Sequence, residues 1–95
     1  MSKQQHRSEI GIIADILGVT MDAGAQGVII TTISRMANLS HNGVLEKCQK
    51  LVDAKIIESI KDDRNRSFRI TEPGRKFFQE IQRFQNTVQG MNLKY

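Results

Sequence analysis

Ile33-Ser34-Arg35-Met36-Ala37-Asn38-Leu39-Ser40-His41-Asn42-Gly43-Val44-Leu45-Glu46-Lys47-Cys48 is the stretch that decides the fold. Ile33, Met36 and Ala37 sit at helical spacing, and Thr31 or Thr32 is placed to cap that short helix. Asn38-Leu39-Ser40 then breaks the periodicity as a turn. Ser40 opens a second helical pattern, because its hydroxyl can accept an orphan backbone N–H of a first turn. Up to Ala54, the residues Val44, Leu45, Cys48, Leu51 and Val52 fall within one arc, at about 100° per residue. Asn42, Glu46, Lys50 and Asp53 fall roughly opposite. Short helix, turn, amphipathic helix is the outline of a helix-turn-helix.

Upstream, Ser8 is placed to cap a helix carrying Ile10, Ile13, Ile16 and Leu17 on one face. Gly18 and the polar stretch 20–27, with Gly24 and Gly27, are expected to end it in a loop. Val28, Ile29 and Ile30 are β-branched and few, which predicts a short strand.

Downstream, Ile57 to Lys61 predicts one strand, and Phe68 and Ile70, two apart, a second. Asp62-Asp63-Arg64-Asn65-Arg66 between them is a polar turn with no apolar residue. A hairpin directly after a helix-turn-helix is a wing. Thr71 is placed to cap a last helix, with Pro73 tolerated in its first turn, where the missing N–H would be an orphan anyway.

On that helix Phe77, Ile81, Phe84, Val88 and Met91 are spaced 4, 3, 4 and 3, a heptad seam. From residue 72 to 91 it would run about 30 Å at 1.5 Å per residue, too long for a small core to cover entirely. These five residues are therefore the candidate dimer contact, aided by Ile12 or Ile13 of the first helix. The fold class expected is mainly α with a small β-hairpin: a winged helix-turn-helix plus a long C-terminal dimerisation helix. The organisation expected is a basic arm over 1–8, the winged domain over 9–71, the dimerisation helix over 72–91 and a tail over 92–95.

Ninety-five residues make one domain, and a core this small gains from oligomerisation. With 14 Lys plus Arg against 10 Asp plus Glu, the net charge of +4 favours a polyanionic partner. The single cysteine, Cys48, excludes an internal disulfide, and its place on the apolar arc makes it a core thiol. No apolar run reaches membrane-span length and no secretory pattern follows Met1, so a cytoplasmic protein is expected. Two histidines and no carboxylate cluster argue against a metal, and no cofactor is expected. His6 is a tail residue and His41 a weak candidate for a pH sensor. A phosphate-binding glycine loop, a zinc-protease helix and a nucleophile elbow are all missing, so no enzyme is expected.

Three stretches carry a resemblance: Arg7-Ser8-Glu9-Ile10 leading to Ile13-Ala14-Asp15-Ile16-Leu17, then Ile33 to Ser40, then Ile70-Thr71-Glu72-Pro73-Gly74-Arg75. In this order they resemble the small archaeal winged-helix proteins, including the ten-kilodalton chromatin-associated type with a C-terminal coiled-coil helix. The likeness covers roughly residues 7 to 90. It implies a dimeric DNA binder, either a transcriptional regulator or a nucleoid-associated protein. The sequence departs from that group at His41, where an aromatic is common, and in Val28 to Thr31, where a basic residue is common.

For double-stranded DNA the helix over 40–54 is the candidate reader of the major groove. Ser40, His41, Asn42 and Gly43 are small or polar and allow close approach. Asn42 suits adenine, Lys47 a guanine or a phosphate, and Lys50 lies one turn on. Glu46 and Asp53 cancel the two lysines, leaving the helix neutral. In the wing over 61–69, Lys61, Arg64, Arg66 and Arg69 outnumber Asp62 and Asp63 by two. Arg64, Arg66 and Arg69 are candidates for phosphates or the minor groove. Arg35, Lys3 and Arg7 are further phosphate candidates. The stretch 20–27 can border a pocket but fixes no effector. The competing function is a winged helix that docks a protein, since fold does not settle function.

Overall fold

The computed structural model describes residues 7–61 and 65–93. Helix α1 runs Glu9–Ala23, and its N-cap Ser8 accepts from the Gly11 N–H at 3.0 Å. It does not stop at Gly18. Leu17 and Thr20 are fully buried, and the Thr20 hydroxyl donates to the Leu17 carbonyl at 2.8 Å, so packing overrides the glycine's low propensity. Gly24, at φ +70, ends the helix, and Gly24–Gln26 forms a single 3-10 turn.

Strand β1 is Val28–Ile29 and helix α2 is Ile30–Ala37. Ile30 is therefore helical rather than the third residue of a strand. The N-cap of α2 is Ile29, with no side-chain cap, and Thr31 and Thr32 lie inside the first turn. The shift has a cause in the sheet: Val28 and Ile29 pair with Phe68 and Ser67, so the strand hands over directly to the helix.

Helix α3 covers His41–Asp53 with Ser40 as its N-cap, and strands β2, Ile57–Lys61, and β3, Arg66–Ile70, form the wing. Ile57 pairs with Ile70 and Lys61 with Arg66, antiparallel throughout. The sheet has three strands in the order β1-β3-β2, so the expected hairpin gains a third member from the loop before α2. Helix α4, Glu72–Gly90, leaves β3 through the Thr71 cap. The architecture is mainly helical with a small antiparallel sheet, a winged helix.

Phe68, Ile16, Leu17, Ile33, Val44 and Ile57 fill the centre, where α1, α2, α3 and the sheet converge. Full burial of each such side chain contributes about 1.5–3 kcal/mol. Cys48 lies among them, as its position on the apolar arc predicts.

The seam of α4 divides. Ile81 belongs to the chain's own core, with Phe77 and Phe78 partly buried against it. Ile81 is thus covered by the chain's own fold. Val88 is also buried, whereas Phe84 and Met91 are 52% and 62% exposed.

Candidate nucleic-acid interface

The turn between α2 and α3 is built by local hydrogen bonding. Asn38 takes the left-handed conformation at φ 55 and ends α2. The Leu39 N–H donates to the Ser34 carbonyl at 3.0 Å, and the Ser34 hydroxyl donates to the Leu39 carbonyl at 2.5 Å. Ser40 Oγ accepts from the Gly43 N–H at 3.0 Å, and a Cβ on Gly43 would lie 3.0 Å from that same oxygen. Gly43 therefore makes room for the cap, a more local role than leaving the backbone open to a ligand.

Arg7 closes the other side of this turn. Its guanidinium donates to the Ala37 and Asn38 carbonyls, both at 2.9 Å, and pairs with Asp15 at 2.8 Å. A cation on the last carbonyls of a helix satisfies orphan acceptors and complements the dipole. Arg7 is thus placed to hold α1 against the end of α2. Lys3 lies outside the described residues.

Helix α3 turns Val44, Cys48 and Leu51 inward and leaves His41, Asn42, Glu46, Gln49, Lys50 and Asp53 exposed. Its lysines are already engaged. Glu9, in the first turn of α1, lies 3.1 Å from Lys47 Nζ and 2.9 Å from Lys50 Nζ. The Lys50 and Lys47 ammonium groups, donating to it, hold the Glu9 carboxyl below its usual range. The same bond with Glu9 raises Lys50. Gln49 Nε2 donates to Asp53 Oδ1 at 3.0 Å. Among the described residues, no hydrogen bond or ion pair engages the side chains of Asn42 or Glu46.

In the wing, Arg66 lies exposed over the Phe68 ring, 5.1 Å from its centroid, and Nε donates to Ser59 Oγ at 3.0 Å. Arg69 pairs with Glu58 at 2.6 Å and donates to the Ala25 carbonyl at 3.2 Å. Arg69 therefore ties the wing to the 3-10 turn. Arg64, with residues 62 and 63, lies outside the described residues. Arg35 is exposed on α2 beside exposed Met36.

The structure brings Ser40, His41, Asn42 and Gly43 together at the start of α3. Arg66 and Arg69 belong to the wing, and the charge of Arg66 is felt at Cys48 of α3. Sequence reasoning missed Glu9, which no local pattern connects to residues 38 and 41 positions away. It also missed Gln49, although its spacing of seven from Asn42 is visible in the sequence. Among the described residues no group of three His, Cys, Asp or Glu is placed to hold a metal, and no helix is long and apolar enough to cross a membrane.

A helix-turn-helix whose second helix lies open to solvent, followed by a wing, defines the class. Residues 6–89 match the family model described as winged helix-turn-helix, and the chain belongs to that family. Among solved structures it is similar to Sso10a-2, a DNA-binding protein from Sulfolobus solfataricus. The TM-score is 0.78 at 18% identity, over 90% of this chain and 86% of that one. It is similar also to AF1382 from Archaeoglobus fulgidus, with TM-score 0.71 at 22% identity, over 85% of this chain and 90% of that one. The transcriptional regulator BldR from Sulfolobus solfataricus matches 84% of this chain and 58% of its own, with TM-score 0.74 at 19% identity. At these identities the likeness is one of fold. No curated protein sequence matches the chain.

Proposed function

We propose that this chain is a non-enzymatic, homodimeric DNA-binding protein, a transcriptional regulator or a nucleoid protein of the ten-kilodalton archaeal kind. The observation that carries this reading is the outward face of α3, where His41, Asn42, Glu46, Gln49, Lys50 and Asp53 are polar and exposed. Helix α3 would enter the major groove by its N-terminal half, with Ser40, His41, Asn42 and Gly43 against base edges; Lys47 and Lys50 would reach phosphates only on leaving Glu9. Arg66 and Arg64 of the wing would reach phosphates or the minor groove, with Arg69 mainly supporting the wing. Arg35 on α2 is a further phosphate contact. The net charge of +4 and the DNA-binding and regulatory roles named for Sso10a-2 and BldR support the same reading.

The dimer would form through the outer half of α4, where Phe84 and Met91 expose apolar surface near Leu93. Phe77, Ile81 and Val88 would support that helix from within rather than meet the partner. A location at the nucleoid follows from DNA binding and is part of the same proposal.

A protein-docking role is the second reading, favoured by one observation: Glu9 already occupies both lysines of α3. Fluorescence anisotropy with random duplexes at two salt concentrations separates the two. Binding at micromolar protein or tighter that drops steeply with salt is expected. No binding at low salt would overturn the DNA reading and favour docking.

A further inference from the structure

The residues that α3 turns to solvent are not those of a helix built to grip phosphates. Asn42, Glu46 and Gln49 follow one another at intervals of four and three, one continuous stripe on the outward face. That stripe covers about 10 Å of helix axis, and base pairs along a duplex are about 3.4 Å apart. Three side chains are thus spread over roughly three base steps.

Their hydrogen-bonding chemistry is that of base readers. A carboxamide offers one donor and one acceptor in the arrangement of an adenine edge, and a carboxylate accepts from the cytosine amino group. Gln49 is already oriented, since Nε2 donates one hydrogen to Asp53 while its second N–H and Oε1 stay available. Glu46 acts on Lys50 through its charge but makes no hydrogen bond or ion pair among the described residues, so its oxygens can accept from a base. The cations beside the stripe are held back: Lys47 and Lys50 share the carboxylate of Glu9. A carboxylate in the centre of the face and no unpaired lysine at its edge disfavour phosphates.

We infer that Glu46 is a specificity-determining residue that selects cytosine, flanked by adenine-selecting Asn42 and Gln49. This rests on the DNA-binding reading and adds that the protein chooses its sites by sequence. Glu9 contributes by keeping Lys47 and Lys50 from binding any duplex indiscriminately.

Selection from a randomised duplex library tests this with the full chain and with Glu46→Gln. The wild type is expected to enrich a motif with a cytosine at one position. Glu46→Gln is expected to lose that cytosine, shift to adenine there and keep the rest of the motif, because glutamine presents the adenine pattern. Affinity of the variant for the wild-type site should fall about ten- to a hundredfold relative to its own best site. Circular dichroism confirms that the exposed substitution leaves the fold intact. Wild-type binding to all duplexes alike would overturn this inference and leave DNA binding standing. So would a Glu46→Gln variant that gains affinity uniformly with an unchanged motif. Absence of binding to every duplex at low salt would remove the DNA reading itself.

Discussion

Glu9 Oε2 and Lys50 Nζ lie 2.9 Å apart, joining the first turn of α1 to the last turn of α3. Lys47 meets the same oxygen at 3.1 Å, so one carboxylate restrains two lysines of the proposed reading helix. Glu9→Gln is expected to release both. In the DNA-binding reading, the log–log salt slope of binding to random duplexes should steepen by about 1–2, roughly 0.9 per phosphate newly neutralised. An unchanged slope would show that Glu9 restrains neither lysine in solution. The pair also has a pH signature. Glu9 is depressed in the folded chain by Lys50 and Lys47, so its stabilising contribution is fully present above its ordinary value of 4.5. It is lost as pH falls through the lower folded value. The Tm difference between wild type and Glu9→Gln should therefore shrink in acid.

Gly74 is fixed by a close approach rather than by its backbone angles. A Cβ there would strike the Ile56 carbonyl oxygen and come within 2.8 Å of Ile70 Cγ1. The Thr71 N–H donates to that same Ile56 carbonyl at 3.1 Å, and Thr71 Oγ1 accepts from the Gly74 N–H at 3.0 Å. Gly74→Ala is expected to cost about 1–3 kcal/mol or more, because backbone must move. Thr71→Ala should cost about 0.5–2 kcal/mol through loss of the cap. Thermal unfolding of the two variants checks both, at roughly 4–8 °C per kcal/mol for a domain of this size. A Gly74→Ala protein as stable as wild type would disprove the packing argument.

What the sequence made legible was local. Ser8, Ser40 and Thr71 cap helices where their spacing to the apolar runs predicts, since the bond reaches only three residues. Phe68 and Ile70 alternate with less buried neighbours because one face of β3 is buried, whereas in β2 Ile57 is the buried residue. The start of α2 was not legible, because pairing of Ile29 with Ser67 decides it, across 38 positions. The continuation of α1 past Gly18 depends on burial of Thr20, which a polar stretch conceals. At the candidate site, the exposed face of α3 was visible as a helical arc. Its electrostatics were not, since the partner of Lys47 and Lys50 comes from another helix, and Arg7 and Arg69 bind carbonyls that no charge pattern marks.

Cys48 is expected to be an inert core thiol. Burial pushes it up to about 11, although the charge of Arg66 works slightly the other way. Native protein at pH 8 should react with a thiol reagent only at the rate of opening, and promptly in denaturant. The raised value also means a contribution present below the ordinary 9.0 and lost as pH rises toward 11. Cys48→Ala, compared with wild type across that interval, should lack this part of the alkaline loss of stability. Prompt labelling of the native chain would place the thiol at the surface.

The two halves of α4 should respond to substitution in opposite ways. Ile81 is 5% exposed and packs in the chain's own core, so Ile81→Ala is expected to cost about 2–5 kcal/mol of stability. Met91, 62% exposed at the far end, contributes little to that core, and Phe84 is 52% exposed one heptad before it. If the proposed dimer uses this end, Phe84→Glu and Met91→Glu place two charges per chain in an apolar contact and should dissociate it. Sedimentation equilibrium at several concentrations would then show monomers, with helical content by circular dichroism preserved. Ile81→Ala should instead lower Tm while the surviving folded protein still associates. A wild type that sediments as a monomer at all concentrations would remove α4 as an interface. Dimers that persist in the double Glu variant would move the contact elsewhere, with the exposed Ile10 end of α1 the next surface to test.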